Sequence, residues 1–136
     1  MGQTEPAAAS FQSGEMTRMV KHNHMHIMTL FQEYLHSPTD SRHAIQEQIL
    51  RQLASHLDTE REFLFQKTRN LSPQSQRIVG EAEVESEGIK AMILALQHSK
   101  GDDDQARDEF FEDMMQSVRV LFMTEERDLL PLIAGS

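Results

Sequence analysis

The chain of 136 residues has no cysteine, no tryptophan and one tyrosine, and glycine and proline are scarce at six and four. Without cysteine there is no disulfide, zinc finger, iron–sulfur cluster or thiol nucleophile, and a reducing compartment, the cytoplasm, is the expected location. Cations are also in deficit, with 13 Lys and Arg against 22 Asp and Glu for a formal charge of −9. A nucleic-acid backbone needs a basic face, and no such cluster occurs, so no nucleic-acid partner is expected. No apolar run reaches the roughly 18 residues of a membrane span, and no h-region marks an export signal, so no membrane association is expected either. Alternating strand patterns, internal repeats, a glycine-rich phosphate loop, a nucleophile elbow and the zinc-protease His-Glu-x-x-His are all missing.

What remains is rich in Ala, Leu, Met, Glu, Gln and Arg, residues that lose little freedom in a helix, so an all-α fold is expected. The length suits one domain with its own core. Residues 1–13 are small and polar and read as a flexible N-terminal arm, with the folded bundle over residues 14–136. A first helix is expected from Gly14–Glu15, carrying Val20, His24, Ile27, Phe31, Tyr34 and Leu35 inward until Ser37-Pro38-Thr39-Asp40 stops it. The second follows the Asp40-Ser41 cap signal and carries Ile45, Ile49, Leu53, His56, Glu60 and Phe63 as far as Asn70-Leu71-Ser72-Pro73. The third carries Ile78, Val79, Ala82, Ile89, Met92, Ile93 and Leu96 and should end at Lys100-Gly101, with glycine as the cap. The fourth, led in by Asp102-Asp103-Asp104, carries Phe111, Met114, Val118, Leu121, Phe122, Glu125 and Leu129. Four helices with short connections predict an antiparallel up-down-up-down four-helix bundle.

Four of the inward positions are polar: His24 on the first helix, His56 and Glu60 one turn apart on the second, and Glu125 on the fourth. Burying an ionised carboxylate costs several kcal/mol unless it is paired, hydrogen-bonded or metal-bound. Two imidazoles and two carboxylates converging from three helices form a ligand set suited to iron, manganese or zinc, and a metal satisfies all four at once. A metal-free His–Glu hydrogen-bond network is the plainer alternative. His22 and His26 lie on the far side of the first helix and read as a solvated pair. Glu85 flanks the third-helix stripe beside Ser86. With Glu81, Glu83 and Glu87 it reads as a solvated acidic face, and it stays outside the ligand set. Of nine methionines, Met19, Met28, Met92, Met114 and Met115 are expected inside as adaptable filler.

At these residues the chain resembles the hemerythrin-like family of HHE cation-binding domains, over about residues 15 to 133. Asn23-His24 with Leu30-Phe31 is similar to the family's first-helix element, and His56 through Glu60 to its second-helix His-x-x-x-Glu element. The segments 81–90 and 121–131, the latter with Glu125-Glu126 and Pro131, resemble the third- and fourth-helix elements. The resemblance implies a hemerythrin-like fold and non-haem iron, one or two ions, with manganese or zinc as substitutes. It also implies that His24, His56, Glu60 and Glu125 hold one ion, the two carboxylates bridging to a second. Two histidines of the family pattern are replaced here, by Ser86 and Leu121, and with them go the second ion's own imidazoles.

The first expectation is therefore a metal-binding protein with a reduced ligand set that senses or binds dioxygen, a related diatomic or the metal itself. The second is a metal-free bundle acting as a protein-interaction or small-ligand module, with a protein partner or a homo-oligomer. The third, an oxidative enzyme using an open coordination position, is the weakest, since no separate acid or base is poised for a substrate.

Overall fold

The computed structural model describes residues 4–99 and 104–134, and these are helical throughout apart from short connections, with no strand among them. Helix α1 spans Thr4–His36. Helix α2, Thr39–Thr59, continues unbroken through a π-helical turn, Glu60–Phe65, into a last turn α3, Gln66–Arg69. Helix α4 spans Pro73–His98. Helix α5, Asp104–Thr124, runs through a second π-helical turn, Glu125–Leu129, into α6, Leu130–Ala134. The chain thus makes four long helices, which pack as a helical bundle.

The helix ends follow local chemistry. Ser72 and Ser75 cap α4 reciprocally, each hydroxyl accepting from the other's backbone N–H at 3.0 and 2.9 Å, and Pro73 occupies the first turn, where its missing N–H costs nothing. Helix α2 starts at Thr39, just ahead of the expected cap, which leaves the Asp40 carboxylate in the first turn. Helix α1 begins at Thr4 rather than near Gly14, because Ala7-Ala8-Ala9 favour helix and Pro6 falls in the first turn. From residue 4 onward the expected arm is therefore part of this helix, and residues 1–3 lie outside the described residues. So do the glycine cap expected at Lys100-Gly101 and the acids Asp102 and Asp103, whereas α4 ends at His98 with the Ser99 N–H on the Ala95 carbonyl.

One apolar core fills the bundle, with Ile27, Phe31, Ile49, Leu53, Val79, Ile89, Met114, Val118 and Leu121 among its buried members. At the end away from His24 and His56 the core closes on a polar clamp. There the buried Arg107 donates to the Leu96 carbonyl, to Gln46 Oε1 and to Glu47 Oε1, all at 2.9 Å, while Tyr34 donates to Glu112 at 3.0 Å. Arg107 so satisfies carbonyls at the open end of α4 and ties three helices together.

Three apolar residues expected inside are not. Met19 is 47% exposed and sits nearly a quarter turn from the centre of the α1 stripe, while Leu35, 40% exposed, lies on the flank of that stripe in the last turn. Phe63 is 54% exposed for a different reason. The π-helical turn inserts an extra residue after Glu60, which rotates the following residues by about 100°, so Leu64, Phe65 and Thr68 face the core. Thr59 prepares this widening by donating its hydroxyl to the Ser55 carbonyl at 3.0 Å, and Pro131 does the same for the second turn by withholding a backbone N–H from the Arg127 carbonyl. Truncation tests the rotation directly. Phe65→Ala should destabilise the fold by about 3 to 5 kcal/mol in denaturant melts and Phe63→Ala by less than about 1 kcal/mol, whereas an uninterrupted α-helix would reverse the order.

Candidate metal centre

Where α2 meets its π-helical turn, His56 and Glu60 face inward one turn apart, and Glu125 faces them from the start of the second π-helical turn. His24 reaches between them from the middle of α1. His24 Nε2 stands 3.0 Å from Glu60 Oε2 and 3.1 Å from Glu125 Oε1, and His56 Nε2 is 3.0 Å from the same Glu60 oxygen. One donor atom from each of the four side chains falls within 4.8 Å of all the others, and all four residues are buried. The structure thus brings together the four residues collected from the inward faces of the sequence.

Apolar walls enclose the cluster. The Phe122 ring stacks on the His24 imidazole at 3.7 Å, nearly parallel, and meets the His56 ring edge-on at 5.4 Å. Ser86 and Leu121 are both buried. Glu85 is exposed, as are His22 and His26, so none of these three joins the four.

Five buried side-chain atoms among the described residues lack a hydrogen-bond partner, and all five belong here: both ring nitrogens of His56, Glu60 Oε1 and both carboxylate oxygens of Glu125. His24 Nε2 is hydrogen-bonded to Glu60 Oε2 at 3.0 Å, but the equally short His24–Glu125 and His56–Glu60 separations lack hydrogen-bond alignment, so these donors face a common point without pairing. Each orphaned atom costs about 1 to 3 kcal/mol. Two imidazole nitrogens and two carboxylates are also the donor chemistry that a first-row divalent ion accepts. On both counts the residues fit a metal.

Glu126, which sequence reasoning had not singled out as a site residue, completes the arrangement. Its Oε2 accepts from His24 Nδ1 at 2.8 Å. Neighbouring residues on a helix point about 100° apart, yet Glu125 and Glu126 reach opposite nitrogens of one imidazole, at the place where the backbone widens. With Nδ1–H held by Glu126, Nε2 is the nitrogen turned to the cluster, the second-layer arrangement common behind ligating histidines. The Glu125-Glu126 pair was visible in the sequence, but only the first was given a role.

The charges are strongly coupled. Burial would lower the His24 pKa, but the Glu125 and Glu60 carboxylates reverse this and push it up to about 10. Burial would raise Glu60, yet the imidazoles of His24 and His56 bring it down to about 2. Glu125 is raised well above the carboxylate range, by burial and by the neighbouring Glu60 charge. The carboxylates thus favour the protonated form of His24, and burial beside Glu60 favours that of Glu125.

No protein-family model, curated protein or solved structure matches the chain.

The shifts set the pH dependence of the chelator-treated protein. The His24 contribution is complete below about pH 6.5 and is lost as pH rises through about 10, and that of Glu125 also fades with rising pH. The Glu60 contribution is present above about pH 4.5 and is lost toward 2. Stability should therefore be greatest between about pH 4.5 and 6.5, with a higher melting temperature near pH 5.5 than near pH 8.5. Glu125→Gln should shrink the difference, and equal melting temperatures at the two values would contradict the buried charge arrangement.

Proposed function

We propose that this chain is a non-haem metal-binding protein in which His24, His56, Glu60 and Glu125 hold one ion, iron in the first place with manganese or zinc as substitutes. One observation carries the reading: every buried unpartnered side-chain atom among the described residues lies in this one cluster of convergent donors. The proposed arrangement is an antiparallel up-down-up-down bundle of the hemerythrin-like kind. Connections as short as Ser37–Pro38 and 70–72 support the reversals, and the four sequence elements support the family.

In this reading Glu126 holds the His24 ring and its Nδ1 proton, so that Nε2 offers its lone pair to the ion. To hold an ion, His24 Nε2 and Glu125 would both have to be deprotonated. Phe122 and Leu121 exclude water, and Glu60 sits between the two imidazoles as the charged centre. An iron held by these four residues would supply a Lewis-acidic, redox-capable centre for dioxygen or a related diatomic, and with no separate acid or base beside it the proposed role is binding or sensing rather than turnover.

A second reading, a metal-free bundle acting as an interaction or small-ligand module, draws on Ser86 and Leu121, which cannot replace imidazoles. It also draws on His24, whose proton can stand in for a cation between Glu60 and Glu125. Elemental analysis separates the two. The purified chain should carry about one transition-metal ion, His24→Ala or His56→Ala should lower this at least tenfold, and the His22→Ala/His26→Ala double variant should leave it unchanged. A chain that takes up no iron, manganese or zinc at micromolar concentration is a metal-free bundle.

The vacated histidine positions test the resemblance itself. Because Ser86 and Leu121 are both buried at the core, Leu121→His together with Ser86→His should raise the metal from about one toward two per chain and bring near-ultraviolet absorption in air. A folded double variant that keeps one ion and shows no new band would mean that these positions do not complete a second site.

A further inference from the structure

Outside the cluster, between α1 and α5, runs an open groove of about 650 Å³, within the size range of small-ligand sites. Its apolar lining is Met25, Met28, Phe122 and Met123, and its floor is the Phe122 ring stacked on His24. Met25 and Met123 are 68% and 59% exposed and come from different helices, so an apolar surface of flexible thioethers faces solvent. Besides His24, which is held by Glu60 and Glu126, the charged lining residues are Lys21, Arg119, Arg127 and Glu126. Two of these are already engaged: Arg127 donates to both oxygens of Asp128 at 3.0 Å, and Glu126 accepts from His24. Lys21 and Arg119 make no ion pair among the described residues. A groove that is apolar below and carries two unspent cations is out of keeping with a chain of net charge −9. The complementary occupant has an apolar body and an anionic head.

We propose that this groove binds an amphipathic organic anion, a medium-chain or aromatic carboxylate, with its apolar body on Met25, Met28, Phe122 and Met123 and its head between Lys21 and Arg119. Length and shape are set by the methionines, which repack around chains of different form. Charge selects the acid over the alcohol, because the two cations have no other partner to neutralise. The site does not require a metal. His24 itself lines the groove beside Phe122, so an occupant lies against the edge of the cluster.

Calorimetric titration with decanoate and with decanol, on the chain as purified and after chelator treatment, tests this. Decanoate should bind about one per chain with and without metal, more weakly as salt is added, and at least about tenfold more tightly than decanol. The Lys21→Glu/Arg119→Glu variant, altered only at exposed positions, should lose at least tenfold in decanoate affinity while keeping its metal content and helical circular dichroism. Equal binding of decanol, or undiminished binding by the double variant, would overturn the proposal. Loss of decanoate binding on chelation alone would mean that the carboxylate ligates the metal instead. A dimer that the double variant dissolves, with no uptake of decanoate, would assign the groove to a second copy of the chain and overturn the proposal equally.

Discussion

Two carboxylates and two imidazoles with almost no access to water constrain everything else in this bundle. In a dry interior like charges repel strongly and each unpaired ion costs several kcal/mol, so Glu60 and Glu125 can lie side by side only if positive charge sits between them. The side chains supply part of it. His24 Nε2 lies within 3.1 Å of an oxygen of each acid and is hydrogen-bonded to Glu60, and both carboxylates favour its protonated form. That solution is incomplete, since five buried side-chain atoms here are left without partners while no other buried side-chain atom of the described residues is. The surrounding apolar core stabilises the fold enough to tolerate the arrangement, and the Arg107 clamp at the far end holds the helices in register without drawing on it.

The helices are shaped around this cluster rather than the cluster around ideal helices. Both π-helical turns begin at a buried carboxylate, one at Glu60 and the other at Glu125. Such a turn is less favourable than an α turn and persists where something else is gained. The second turn lets consecutive glutamates approach both nitrogens of His24. The first lets the helix carry His56 and Glu60 inward and still bury Leu64, Phe65 and Thr68 beyond them. Thr59 and Pro131 are the local devices that weaken the α pattern at these points, and neither would be selected by core packing alone.

Much of this was legible in the sequence because helical periodicity is a strong signal over four long segments. Buried Val20, Ile49, Val79, Ile89, Phe111, Val118 and Leu121 follow from spacing alone, and so do the inward positions of His24, His56, Glu60 and Glu125. The phase beyond Glu60 was not legible. Phe63, Leu64 and Phe65 are apolar in succession, so either an α or a π continuation buries two of the three, and nothing in their composition chooses. Met19 and Leu35 misled in the ordinary way, as apolar residues at the edge of a stripe. Glu126 was hidden because a carboxylate beside an inward carboxylate reads as solvated, and only the widened backbone turns it toward Nδ1. Arg107 escaped notice because long cations on helices usually face water.

Charge balance then bears on how many ions such a site would suit. Among the described residues the buried acids are two, Glu60 and Glu125, and Glu126 stands at the edge, part-exposed and occupied with Nδ1. Two carboxylates neutralise one divalent ion. A second ion would bring two more positive charges into the same interior, and on the proposed reading the buried residues at the second ion's positions, Ser86 and Leu121, offer neither an anion nor an imidazole. Glu85, the one acid of that stretch of α4 flanking Ser86 on the N-terminal side, faces solvent. On the proposed reading the replacements at 86 and 121 therefore act together. They remove ligands and shrink the polar volume at once, which favours a single, electrically balanced ion over a pair. In such a centre the His24 ring, held at Nδ1 by Glu126 and stacked on Phe122, also lines the open groove, so that groove is the side from which a bound molecule would reach the edge of the cluster.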